Sequence, residues 1–197
     1  MDIQHQHSIT SIITNIHSLS QSSYKIILDN CRIHRYVRNQ LIATEGKTNL
    51  NEYFLLEGVM HRFSTTDEGE NITTDFYLPA SVVTPHFART IRAKITFSLQ
   101  ALTVVVVAEI SAKNLDDLRN QHKDIRTFGQ KVVEAELTRS LHNGIAFRST
   151  SAKERLLSLR KTYPNLENTI PHIVIASFLG ITPVSFSRLR NELTKSK

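Results

Sequence analysis

The chain has 197 residues, of which 40% are hydrophobic, with a single cysteine and a formal net charge of +6. That length holds one large domain or two small ones, and a lone cysteine excludes an internal disulfide framework and a four-cysteine iron–sulfur site. No apolar run approaches the ~20 residues that span a bilayer, and the start lacks the basic stretch and apolar core of a signal peptide, so a cytoplasmic protein without membrane contact is expected.

In chain order, residues 1–22 place Ile9, Ile12, Ile13, Ile16 and Leu19 at helical spacing, which predicts a leader helix, with a second short helix through Tyr24–Leu28. His5, His7 and His17 lie along this leader without a third ligand at tight spacing, so no metal site is assigned. From about Cys31 the pattern turns to β. Tyr53–Leu56 and Val59–Phe63 flank a Glu57-Gly58 break, and Asp67-Glu68-Gly69 is a turn before alternating Ile72, Thr74 and Phe76. Leu78–Arg92 is less regular, and Ile95–Leu99 and Leu102–Ile110 read as two more strands. Short strands at this spacing predict an antiparallel barrel or roll over residues 23–114.

Residues 115–147 contain no proline and read as a long helix. Ile125, Phe128, Val132 and Ala135 form a seam with two readings: a dimer interface with a partner helix, or packing on the chain's own β domain. Asn143-Gly144 marks a bend, as an alternative to a hinge at Arg148–Ser151. Ser151-Ala152-Lys153-Glu154 is a capping box that starts a helix through Tyr163, and Pro164 ends it.

The last unit, residues 148–197, carries the clearest pattern. Ile170–Leu193 reads as a helix-turn-helix: Ala176 is small at the crossing, Gly180 suits the turn, Thr182 can cap the second helix, and Pro183 fits its first position. Phe186, Leu189 and Leu193 share one face, while Ser185, Ser187, Arg188 and Asn191 share the other. Charge supports a nucleic-acid role. Residues 1–147 hold 15 Lys+Arg against 15 Asp+Glu, and residues 148–197 hold 9 against 3. The whole cationic surplus lies beside the candidate reading helix, as a phosphate-binding module requires. No nucleophile elbow or Gly-rich phosphate loop is present, so no catalytic residue and no cofactor is assigned.

Five segments in order, Asn51–Phe63, Glu68–Pro79, Val106–Leu118, Ser151–Pro164 and Ile170–Arg190, resemble the CRP/FNR (catabolite activator-like) family of bacterial transcription regulators, the last two most like a Bacteroidetes-type branch. The resemblance implies an α+β protein: an N-terminal antiparallel β-roll of cyclic-nucleotide-binding type, a dimerisation helix and a C-terminal helix-turn-helix of winged-helix kind. It implies a homodimer on a palindromic double-stranded DNA operator, in contact with RNA polymerase. Two rivals are a regulator gated by an unidentified small-molecule effector in the roll, and a sensory or scaffold dimer that no longer binds DNA.

Members that bind cyclic AMP grip its ribose with a Gly-Glu pair and neutralise its phosphate with an Arg-Ser or Arg-Thr pair. Counting back from Val106–Ser111 puts these at Thr84-Pro85 and Ile95-Thr96, where neither a carboxylate nor an arginine stands. A buried phosphate without a paired cation is costly, so the resemblance implies a degenerate cassette and no use of cyclic AMP in the usual mode. Arg89, Arg92, Lys94 and Thr96 lie close together nearby, as an anion site for another effector or as a solvated strand edge guarded by cations.

On the second helix, Arg188 is the expected base reader, since a guanidinium makes two hydrogen bonds to guanine. Ser185, Ser187 and Asn191 are short polar partners for base or phosphate, and Thr182 with the helix N-terminus suits phosphate. His172 matches a family position that holds the DNA backbone, and Arg190 and Lys195 are expected phosphate contacts. Val184 stands where many members carry a glutamate and offers only an apolar contact, and Pro183 replaces another common base reader. The operators of well-studied relatives are therefore not expected to carry over.

Overall fold

A computed structural model describes residues 1–84 and 94–195 of the chain, without the side chain of Lys195. The leader folds as two helices, α1 (Ile3–Ile16) and α2 (Gln21–Asn30), capped by the side chains of Asp2 and Ser20. Strands β1 (Cys31–Tyr36), β2 (Leu41–Ala43), β3 (Asn51–Glu57), β4 (Met60–Thr65), β5 (Asn71–Tyr77), β6 (Ser81–Val83), β7 (Ser98–Ala101) and β8 (Val105–Ser111) follow. They form two antiparallel four-stranded sheets in the orders β1-β8-β3-β6 and β2-β7-β4-β5.

The central strands are apolar on both faces because each face meets its own core. In β3, Tyr53 and Leu55 enter the core between the sheets, while Phe54 points outward under the helices; β8 divides Val105 and Val107 from Ala108 and Ile110 in the same way. This explains the unbroken apolar run in β8, which an alternating pattern would not produce. β1 begins at Cys31, where the sequence pattern turns to β, and exposes Arg32, His34 and Arg35 at a sheet edge.

The helix expected over residues 115–147 is two helices. Ser111 caps α3 (Ala112–Gln121), His122 adopts an extended conformation, and α4 (Lys123–Ser149) runs on as one helix through Asn143-Gly144. The break that follows is at Thr150, of the two expected hinges the later one. The expected dimer seam is corrected here. Ile125, Phe128 and Val132 are buried in the protomer's own core against Ile9, Ile13 and Phe54, and Ala135 is exposed. The leader helix and the outer sheet face together offer Ile125, Phe128 and Val132 an apolar bed, the second of the two readings of this seam. Further along α4, Leu137, Leu141 and Ile145 are left in solvent at successive intervals of four residues.

The capping box at Ser151 and Glu154 forms as expected and starts α5 (Ala152–Thr162). Then come α6 (Leu166–Thr169), α7 (His172–Phe178) and α8 (Pro183–Lys195). Their core, around Leu156, Leu159, Ile175, Leu179 and Phe186, is continuous with Val59, Phe76 and Leu102 of the roll. Ser177 fastens α7 to the edge of β5: its hydroxyl accepts from the Thr73 amide at 2.9 Å and donates to the Asn71 carbonyl at 3.0 Å. A sheet edge that would otherwise be open is thereby covered.

Candidate nucleic-acid interface

Residues between α7 and α8 make a sharp turn for identifiable reasons. Gly180 takes φ +66°, a left-handed conformation that costs glycine little. Ala176, fully buried, lets the helices cross closely, and the two axes bend by 94°. Thr182 caps α8, its hydroxyl oxygen accepting from the Ser185 amide at 3.1 Å. Phe186 is buried, and Leu189 and Leu193 pack against the same core. The opposite face is therefore forced outward by helical periodicity.

That outward face holds most of the residues expected to meet DNA. Thr182, Pro183, Val184, Ser185, Ser187, Arg188 and Asn191 are all exposed. Val184, Ser187, Arg188 and Asn191 fall at i, i+3, i+4 and i+7, one continuous stripe. Val184 is 61% exposed, an apolar side chain that packing does not account for.

Arg190 and His172 pair with each other and with Glu167. Arg190 is turned back toward Glu167, with Nε 3.5 Å from its carboxylate, and its guanidinium lies over the Phe186 ring. Arg190 Nη1 sits 3.3 Å from His172 Nδ1, while His172 Nε2 sits 3.1 Å from the Glu167 carbonyl. In this pattern Nε2–H donates to that carbonyl. The pair braces α8 against α6 and α7. Lys195 ends α8, its side chain outside the described residues. Glu167, which also pairs with Arg160 at 2.7 Å, was missed in the sequence because one carboxylate in a basic segment carries no spacing signal.

The expected effector cluster lies partly outside the described residues. Lys94 and Thr96 are exposed, Ile95 between them is buried in the core between the sheets, and Arg89 and Arg92 lie outside the described residues. A charged cluster that the sequence did not reveal lies elsewhere, between the roll and α4. Glu136 accepts from Arg62 Nη1 at 2.7 Å, from the Tyr77 hydroxyl at 3.2 Å and from Arg139. Asp75, fully buried, has its carboxylate 2.9 Å from Arg139 and 3.6 Å from Arg62. Burial raises the Asp75 carboxyl above the ordinary range, and Arg139 and Arg62 pull against that rise. Two guanidiniums and two carboxylates balance, which is how charges survive under a helix.

Other chemistry finds little support among the described residues. No group of three His, Cys, Asp or Glu side chains there could hold a metal ion. Burial pushes the Cys31 thiol up to about 12, far from a reactive thiolate. No single described helix is long and apolar enough to cross a membrane.

No family model matches the chain. It is 26% identical over 170 residues to the regulatory protein HlyX of Actinobacillus pleuropneumoniae, covering 81% of this chain and 70% of that protein. It is 24% identical over 169 residues to an anaerobic regulatory protein of Haemophilus influenzae, covering 80% of this chain but only 65% of the relative. A solved structure described as a crp/fnr-family transcriptional regulator from Eubacterium rectale superposes with a TM-score of 0.73 at 15% identity, over 90% of this chain and 85% of that one. By sequence the chain is similar to regulatory proteins, and by fold to a CRP/FNR-family structure. The CRP/FNR architecture, an antiparallel roll followed by helices, is the α+β arrangement the sequence led us to expect.

Proposed function

We propose that this chain is a sequence-specific, DNA-binding transcriptional regulator of the CRP/FNR type that works as a homodimer and does not use cyclic AMP in the usual mode. The observation that carries the reading is the stripe on α8. Its polar side chains stand free on a helix whose other face is locked into a core, at the end of the chain that holds the cationic surplus. An α-helix presented in this way fits the major groove. Arg188 is the main base reader, with Ser185, Ser187 and Asn191 beside it and Thr182 at the phosphate-facing helix start.

The dimer forms along the second half of α4, through Leu137, Leu141 and Ile145, in place of the seam first expected. Two copies then set two reading helices on successive turns of a palindromic site. Against cyclic AMP stands Ile95, buried and apolar where the phosphate would need a cation.

The test is binding to an operator selected from random DNA by the wild-type protein. Arg188→Ala should cost about 1–3 kcal/mol at one base pair of each half-site and relax preference there. Unchanged affinity and unchanged preference would sink the assignment of Arg188. Cyclic AMP should leave both the melting temperature and the operator affinity where they are.

A further inference from the structure

We propose that Arg155 is a positioning residue that fixes the reading head against the end of α4, and so sets the half-site spacing a dimer accepts. This rests on the DNA-binding reading above. Arg155 lies on α5, between the two elements it joins. Its Nε and Nη2 donate to the Leu179 carbonyl, at 3.2 and 2.8 Å, where α7 ends. Its Nη1 donates to the Phe147 carbonyl at 3.3 Å and to the Thr150 carbonyl, where α4 ends.

The chemistry explains why one side chain serves both places. The last carbonyls of a helix lack intrahelical partners and carry the negative end of its dipole. Here two such ends meet one cation whose planar fork has fixed donor directions. A change in the angle between α4 and α7 breaks one set of bonds or the other. Phe147 completes the bracket. The Arg155 guanidinium lies 5.1 Å from its ring centroid. The ring also presses on the turn of the helix-turn-helix: a Cβ added to Gly180 would lie 2.5 Å from Phe147 Cε2. Ring, guanidinium and turn are thus stacked at the junction. Since α4 also carries the proposed dimer face, the junction translates dimer geometry into the separation of the reading helices.

The experiment measures affinity for the selected operator with one or two base pairs inserted or removed at its centre. The wild-type protein should lose about tenfold per base pair changed, the scale of one mismatched contact. Arg155→Lys keeps the charge but loses the fork. It should bind a single half-site like the wild type, melt at a similar temperature, and vary by less than about threefold across the spacing series. If Arg155→Lys does not fold, Phe147→Leu, at a half-exposed position, carries the same expectation. A variant with the wild-type spacing profile overturns the inference and leaves DNA binding intact. A wild-type protein that selects no DNA sequence overturns the DNA-binding reading and this inference with it.

Discussion

In its first half, α4 turns Ile125, Phe128 and Val132 onto the leader helix and the outer face of one sheet, whereas its second half leaves Leu137, Leu141 and Ile145 in solvent. Both halves carry apolar residues at helical spacing. What differs is the opposing surface: α1 and β3 stand opposite the first half, and no described element of the chain buries the second. Apolar periodicity announces that a helix will bury a face, and is silent on whether the partner is the same chain or another. Glu136 marks the boundary, where Arg62 and Arg139 close over it from the roll and from α4.

The sharpest way to break this comparison is Phe128→Ala. It empties a fully buried site stacked on Phe54 at a centroid distance of 6.4 Å, and should cost about 4 kcal/mol of protomer stability in denaturant melts. Glu136→Ala should come next, at about 3 kcal/mol, because it leaves two guanidiniums facing Asp75 alone under the helix. Leu137→Ser with Leu141→Ser should change protomer stability by less than about 0.5 kcal/mol, as exposed positions do, while shifting the sedimentation coefficient from dimer to monomer. If that double variant melts early as a protomer, the second half of α4 is not a free face and the comparison fails.

The smallest effect concerns the start of α4. Burial raises the Asp124 carboxyl, but the Ser20 amide, the Ser23 and Ser20 hydroxyls and its neighbouring Ile125 amide outweigh it and hold it down to about 2. An unfolded aspartate titrates near ~3.9. This contribution is therefore complete above about pH 4 and lost as pH falls toward about 2. Asp124→Asn should flatten stability across that window by fluorescence melts, with its loss of stability full at neutral pH and vanishing near pH 2. An acid slope identical to the wild type would remove Asp124 as the anchor between leader and helix.

Legibility followed the range of the interactions involved. The capping box, the Gly180 turn and the buried face of α8 depend on residues a few positions apart, and the sequence displays them directly. The stripe of Val184, Ser187, Arg188 and Asn191 is the complement of that buried face, so it too could be read. The contacts of Arg190 and His172 with Glu167 could not be read, because Glu167 lies on another element. Arg155 escaped notice for a similar reason: its partners are main-chain carbonyls of two other helices, which no side-chain pattern encodes.

The sequence by itself determined the order of elements and the helix-turn-helix with its outward face. These follow from periodicity, capping and charge, which act along a few turns of chain. Only the tertiary structure decided which half of α4 is spent on the protomer's own core, that Ser177 closes the edge of β5, and that a balanced four-charge cluster lies beneath α4. Those outcomes depend on which surfaces meet across long stretches of chain, and burial there is a competition between surfaces that local pattern cannot rank.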